Sequence, residues 1–123
     1  MSLARNIANL PNGDDAPIYA CRAWVNFDGT TNTAGYCTIL DSGNVSTVAD
    51  NGYGDYTVNF ATAMPSYNYA VVVTGEHTSP GQGNAARGSQ VYYNGRGSGY
   101  VRVQNFGWTG SSQDVEMSVA III

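Results

Sequence analysis

The stretch Ile18-Tyr19-Ala20-Cys21-Arg22-Ala23-Trp24-Val25-Asn26-Phe27 decides the fold. Tyr19, Cys21, Ala23, Val25 and Phe27 alternate with Ile18, Ala20, Arg22, Trp24 and Asn26, so both sets carry apolar residues. Extended backbone returns a side chain to the same face every second residue. The stretch is therefore a strand with one face for a core and a second face that is not fully polar.

The same alternation continues to the C-terminus. Residues 36–40, 44–49 and 56–60 read as short strands, the last with Tyr56, Val58 and Phe60 on one face. Asp28-Gly29-Thr30-Thr31-Asn32 and Asp41-Ser42-Gly43 are expected turns. Asn51-Gly52 and Asn94-Gly95 are expected hairpin turns, because both residue types accept the positive φ of tight two-residue loops. Met64-Pro65 closes a strand, since proline has no N–H for a ladder. Ala70-Val71-Val72-Val73 predicts a strand covered on both faces. Residues 90–93 and 100–106 are further strands, and Val115, Met117, Val119 and Ile121 alternate through the last one. The expected fold is all-β: an antiparallel β-sandwich or flattened barrel of about seven or eight short strands over residues 18–123.

Residues 1–17 read as an N-terminal arm. Leu3, Ile7 and Leu10 form one apolar stripe of a short helix, too short to stand alone in water. The stripe needs a partner surface, so these three residues are expected in attachment or oligomer contact. Pro11-Asn12-Gly13 breaks any helix. No stretch resembles a signal peptide, and the longest clean apolar run, 120–123, is far below the roughly 20 residues of a membrane helix.

Charged residues are only 11% of the 123, there is no lysine, and the net charge is −4, so nucleic acid is not an expected partner. A surface so poor in charge must be finished by Asn, Thr, Ser, Gly and Tyr. Cys21 and Cys37 could pair, but two cysteines make no disulfide framework, and the reading is reduced and buried.

The segment from Arg22-Ala23-Trp24-Val25-Asn26-Phe27 to Asp28-Gly29-Thr30 resembles the opening of a domain in tail fibre and other virion proteins of bacteriophages, cyanophages especially. The resemblance continues through residues 42–52 and 54–60, then Ala63-Met64-Pro65 and Tyr69-Ala70-Val71, and loosely into Ser118-Val119-Ala120-Ile121. It implies a β-sandwich at the end of a homotrimeric fibre, displayed on the virion, assembled in the host cytoplasm and engaged with host surface glycan. The rival expectation is a capsid decoration, cement or adaptor protein of a phage particle, with no receptor to bind. In either case the partners are copies of itself and other virion proteins. The apolar C-terminal strand, with Ile121 and Ile123, is expected to be buried between subunits, because bare edge strands are sticky.

An enzyme is not expected. Asp14, Asp15, Asp41, Asp50 and Asp55 all sit where Asp caps its own turn. Glu76-His77 is the sole carboxylate–imidazole neighbour pair, and adjacent residues point apart in extended chain. One histidine without a His/Cys cluster gives no metal site, and no cofactor motif is present. Two loops carry the expected receptor site. Residues 75–90 offer Glu76, His77, Asn84 and Arg87, and Trp108 stands between glycines as a platform for a sugar face. Trp24 reads as core or interface, and of Tyr92 and Tyr93 one must face outward.

Overall fold

The computed structural model describes residues 19–76, 87–107 and 114–123. The arm with Leu3, Ile7 and Leu10 lies outside the described residues. Among those described, eight strands form one antiparallel sheet: β1 (Cys21–Thr33), β2 (Tyr36–Gly43), β3 (Val45–Gly52), β4 (Asp55–Phe60), β5 (Ala70–Gly75), β6 (Arg87–Arg96), β7 (Tyr100–Gly107) and β8 (Glu116–Ile122). Their order is β5-β8-β1-β2-β3-β4-β7-β6. The sheet curls until its two end strands lie side by side. A Cβ on Gly75 of β5 would sit 3.2 Å from Ser89 Oγ of β6 and 2.7 Å from Asn105 Oδ1 of β7. The all-β antiparallel expectation therefore holds, with one sheet closing into a barrel rather than two sheets stacking.

The alternation sets the core. Ala23, Val25 and Phe27 point inward from β1, Tyr56, Val58 and Phe60 from β4, Val101 and Val103 from β7, and Met117, Val119 and Ile121 from β8. Phe27 meets Tyr56 edge-on with ring centroids 5.0 Å apart, the arrangement that the charge distribution of the rings favours. Trp24 faces outward at 38% exposure, so it is no part of the core. It lies flat against Gly43 of β2, where a Cβ would come within 2.5 Å of the indole nitrogen. Ile121 fills the interior of its own barrel, and Ile123 packs partly against that core. The outward residue of β8 is Ile122. Alternation places 121 and 122 on opposite faces, so Ile121, expected at a subunit contact, is core, and the exposed isoleucine of β8 is one position later.

Several turns lie elsewhere than the sequence suggests. Asp28 to Asn32 is strand, not turn: β1 bends there at an irregularity in its register with β2. The Asp28 carboxylate accepts bonds from Thr30 N and Oγ1 inside the strand. The reversal comes at Ala34 and Gly35, both at positive φ. Asp41, Ser42 and Gly43 pair with β1 as strand, and Asn44, φ 55°, carries the reversal alone. Its side chain reaches Arg22 O and Thr62 O at 3.0 Å each. The Asn51-Gly52 hairpin exists, with its turn two residues later at Tyr53-Gly54, since Gly52 pairs with Asp55.

β5 also departs from expectation. Val71 and Val73 lean on the core, while Val72 is 51% exposed. An end strand of the sheet has only its inner face covered. Both cysteines are free, but only Cys37 is buried, and Cys21 is exposed.

Antiparallel order gives the barrel two ends. One carries Tyr19, Asn44, the start of β5, the end of β6 and Ile123, with Ala20 and Ile123 exchanging backbone bonds at 3.2 Å. The other carries Ala34, Tyr53, Glu76 and Glu116. At six residues, β5 separates the two ends by roughly 20 Å.

Candidate functional site

Two segments distant in sequence build the site. Tyr67-Asn68-Tyr69 precede β5, one end strand of the sheet. Tyr69 is buried, its ring edge-on to Phe60 at 6.0 Å between centroids. Its hydroxyl donates toward Gly97 O and Tyr100 O, each at 2.8 Å. One phenolic proton shared between two carbonyls fixes the segment onto the β6–β7 turn, across the seam where the sheet closes. Burial raises the Tyr69 phenol above its ordinary value, and the charge of Arg96 acts in the opposite direction.

The opposite wall comes from β6, the other end strand. Its register with β7 passes from Val91↔Val103 to Arg96↔Val101. Residues 92–95 thus face Arg102 alone and bulge out of the ladder. Asn94 takes φ 53°. Gly95 is pressed on the backbone, where a Cβ would come within 2.8 Å of Tyr92 O and 2.9 Å of Arg102 O. The Asn94-Gly95 pair is therefore a bulge inside β6 and not the expected hairpin turn. The reversal lies at 97–99, closed by Gly97 N donating to Tyr100 O at 2.9 Å.

The bulge sends Tyr93 into solvent at 85% exposure and leaves Tyr92 half-buried, as alternation requires. The Arg102 guanidinium sits 3.9 Å from the centre of the Tyr92 ring. Asp55 accepts Arg102 Nε and Nη2 at 2.8 and 2.6 Å. Asp55 is thus the clamp of a cation–π stack rather than a turn cap. That stack holds the Tyr92 ring in place.

Between the walls lies an open cleft of about 730 Å³ lined by Tyr67, Asn68, Tyr69, Tyr92, Asn94, Gly95 and Arg96. The volume is within the range of small-ligand sites. Tyr67 is 61% exposed. Two phenol rings with amide and guanidinium groups between them can stack on the apolar face of a sugar and bond its hydroxyls. None of the described lining residues carries a carboxylate.

Of the expected receptor residues, Glu76 and the backbone of Arg87 are described, and both lie at the other end of the barrel. Glu76 follows β5 and its N–H donates to Glu116 O at 2.9 Å. Arg87 opens β6 opposite Gly107. The fold therefore brings the anchors of both expected loops, 76 with 87 and 107 with 114, to one end. His77, Asn84, Trp108 and the Arg87 side chain lie outside the described residues. Glu76 also lines a recess of about 90 Å³ with Glu116, Leu40 and Ser118. The charge of Glu76 raises the Glu116 carboxyl above its ordinary value, with burial and Asp28 adding to it. Among the described residues no three ligating groups converge on a metal position.

The sequence reading missed Tyr67, Asn68 and Arg96 and left open which of Tyr92 and Tyr93 faces outward. Two Tyr/Asn clusters, one ending in Arg, were the available signal. Only the closure of the sheet sets them against each other. Compared with protein-family models, curated proteins and solved structures, the chain has no match.

Proposed function

We propose that this chain is a non-enzymatic, carbohydrate-binding β-barrel of a phage particle, a tail fibre or fibre-tip domain working as a homotrimer. The observation that carries the binding function is the cleft at the seam: tyrosine walls, amides and a guanidinium, with no carboxylate among its described lining residues. The virion assignment rests on the resemblance of residues 22–73 to phage fibre domains. Self-association is supported by the outer face of the sheet. Trp24, Ala120 and Val72 stand side by side across β1, β8 and β5, uncharged, with Ile122 exposed beside them. Three-fold closure would cover that row and stop further growth.

A glycan array with Tyr67→Ala and Trp108→Ala as paired variants tests the site. Loss of signal in Tyr67→Ala alone places the ligand in the cleft. Loss in Trp108→Ala alone moves the ligand away from the cleft, and no glycan signal from the parent protein removes the carbohydrate reading. Sedimentation of the purified protein tests the trimer. The second reading is a capsid decoration protein, with Leu3, Ile7 and Leu10 as its attachment to the shell. Imaging of labelled particles distinguishes tail from capsid.

A further inference from the structure

We infer that the cleft selects an acidic sugar, a glycan bearing a carboxylate, and that Arg96 is the residue that recognises it. The inference rests on the carbohydrate reading above and names its ligand class.

Charge is scarce in this protein, so the place of each cation carries weight. Two arginines stand near the cleft. Arg102 is neutralised, its guanidinium held by both oxygens of Asp55 and stacked on Tyr92. Arg96 lines the cleft, lies exposed on β6, and has no carboxylate within ion-pair distance among the described residues. Its neighbours in the lining are phenols and amides. The Asn68 and Asn94 side-chain amides make no hydrogen bond to the described protein and are free to serve a ligand. In a chain of net charge −4, one guanidinium without an ion-pair partner among the described residues lines this cleft. The planar guanidinium matches a carboxylate through two parallel N–H bonds, a geometry that a hydroxyl cannot reproduce.

Aromatic walls and a guanidinium divide the work. Tyr67 and Tyr92 supply contact with the ring carbons of any pyranose, and Asn68 and Asn94 bond hydroxyls. Arg96 separates an acidic residue from its neutral counterpart. Binding to the acidic form releases a counterion and weakens as salt rises, whereas ring stacking does not.

The test uses a panel of oligosaccharides containing hexuronates or sialates, each paired with its methyl ester, titrated calorimetrically against the intact protein. The free acids should bind at least tenfold tighter than their esters at low salt, and the ratio should fall toward one in 0.5 M NaCl. Arg96→Gln should bring acid and ester to equal affinity, and Arg96→Lys should retain only part of the ratio. Arg96 is exposed on β6, so the variants should melt as the parent does. Equal affinity for acid and ester overturns the inference and leaves the carbohydrate reading standing. Binding to no member of the panel, with or without the ester, sinks both. A sulfated oligosaccharide bound as tightly as the free acid, with the same loss in Arg96→Gln, overturns the carboxylate assignment in favour of general anion recognition.

Discussion

The buried phenol of Tyr56 donates to Asp114 Oδ1 at 3.0 Å, joining β4 to the residue two positions before β8. Asp114 Oδ1 also accepts Gly54 N at 2.7 Å, so one carboxylate oxygen ties the Tyr53-Gly54 hairpin to the start of the last strand. Burial, then the charge of Asp114, raises the phenol above its ordinary value, while the backbone of Val115 acts in the opposite direction. Tyr56→Phe keeps the ring against Phe27 and deletes the hydroxyl. It should cost about 1–3 kcal/mol, the range for leaving buried partners unsatisfied. Urea unfolding reads it directly, and a change below 0.5 kcal/mol would show the bond to be idle.

Stability should fall as pH rises above 9. Burial, assisted by the charges of Asp50, Asp114 and Asp28, pushes the Cys37 thiol up to about 12 from its ordinary 9.0. A raised value in the folded state means that the unfolded chain gives up its proton first. Stability is complete below pH 9 and is lost progressively toward pH 12, with Tyr56 adding to the loss above its ordinary 10.0. Unfolding midpoints at pH 8, 10 and 11 under reducing conditions measure the slope. Cys37→Ala should start lower and fall less between pH 9 and 10; an unchanged slope would remove Cys37 as its source.

Thiol reactivity separates the two cysteines. Cys21 is exposed and Cys37 is buried. At pH 8 a water-soluble disulfide reagent should titrate one thiol per chain rapidly, and Cys21→Ser should abolish that phase. Two fast thiols would mean that β2 opens readily around Cys37.

Gly95 controls the shape of the cleft. A methyl there meets backbone oxygens of Tyr92 and Arg102, which cannot swing aside as a side chain can. Gly95→Ala should cost about 1–3 kcal/mol, the usual range for overpacking, and weaken glycan binding at least tenfold. Gly99→Ala meets nothing within 4 Å and serves as the neutral control. Equal behaviour of the two variants in melts and titrations would refute this account of the bulge.

The Asp55–Arg102 pair should matter more to Tyr92 than to global stability. The Arg102 side chain is 36% exposed, so solvent screens its ion pair. Arg102→Met should cost about 1 kcal/mol or less. It should also increase motion of the Tyr92 ring, seen as broadened aromatic resonances, and lower glycan affinity. Unaltered Tyr92 resonances would show that the ring is held by packing alone.

The sequence by itself determined which residues face inward. Period-two alternation at 23–27, 56–60, 101–103 and 117–121 is enough to specify the core, because extended backbone admits only two side-chain directions. It was less informative about where strands reverse. Asp28-Gly29 and Asn94-Gly95 carry the chemistry of turns, yet bulges accept the same residues, and register with the neighbouring strand decides between the two. The local pattern of residues 117–123 likewise could not show whether Ile121 or Ile122 is the exposed one.

What only the tertiary structure decided is the closure of the sheet and hence the cleft. Tyr67 and Arg96 belong to segments flanking or ending the two strands at opposite ends of an eight-strand order. No local signal relates the two ends of a sheet, because curvature accumulates over all its strands and bulges. Once the sheet curls, Tyr69 can reach the β6–β7 turn, and Tyr67 and Tyr92 come to line one cleft.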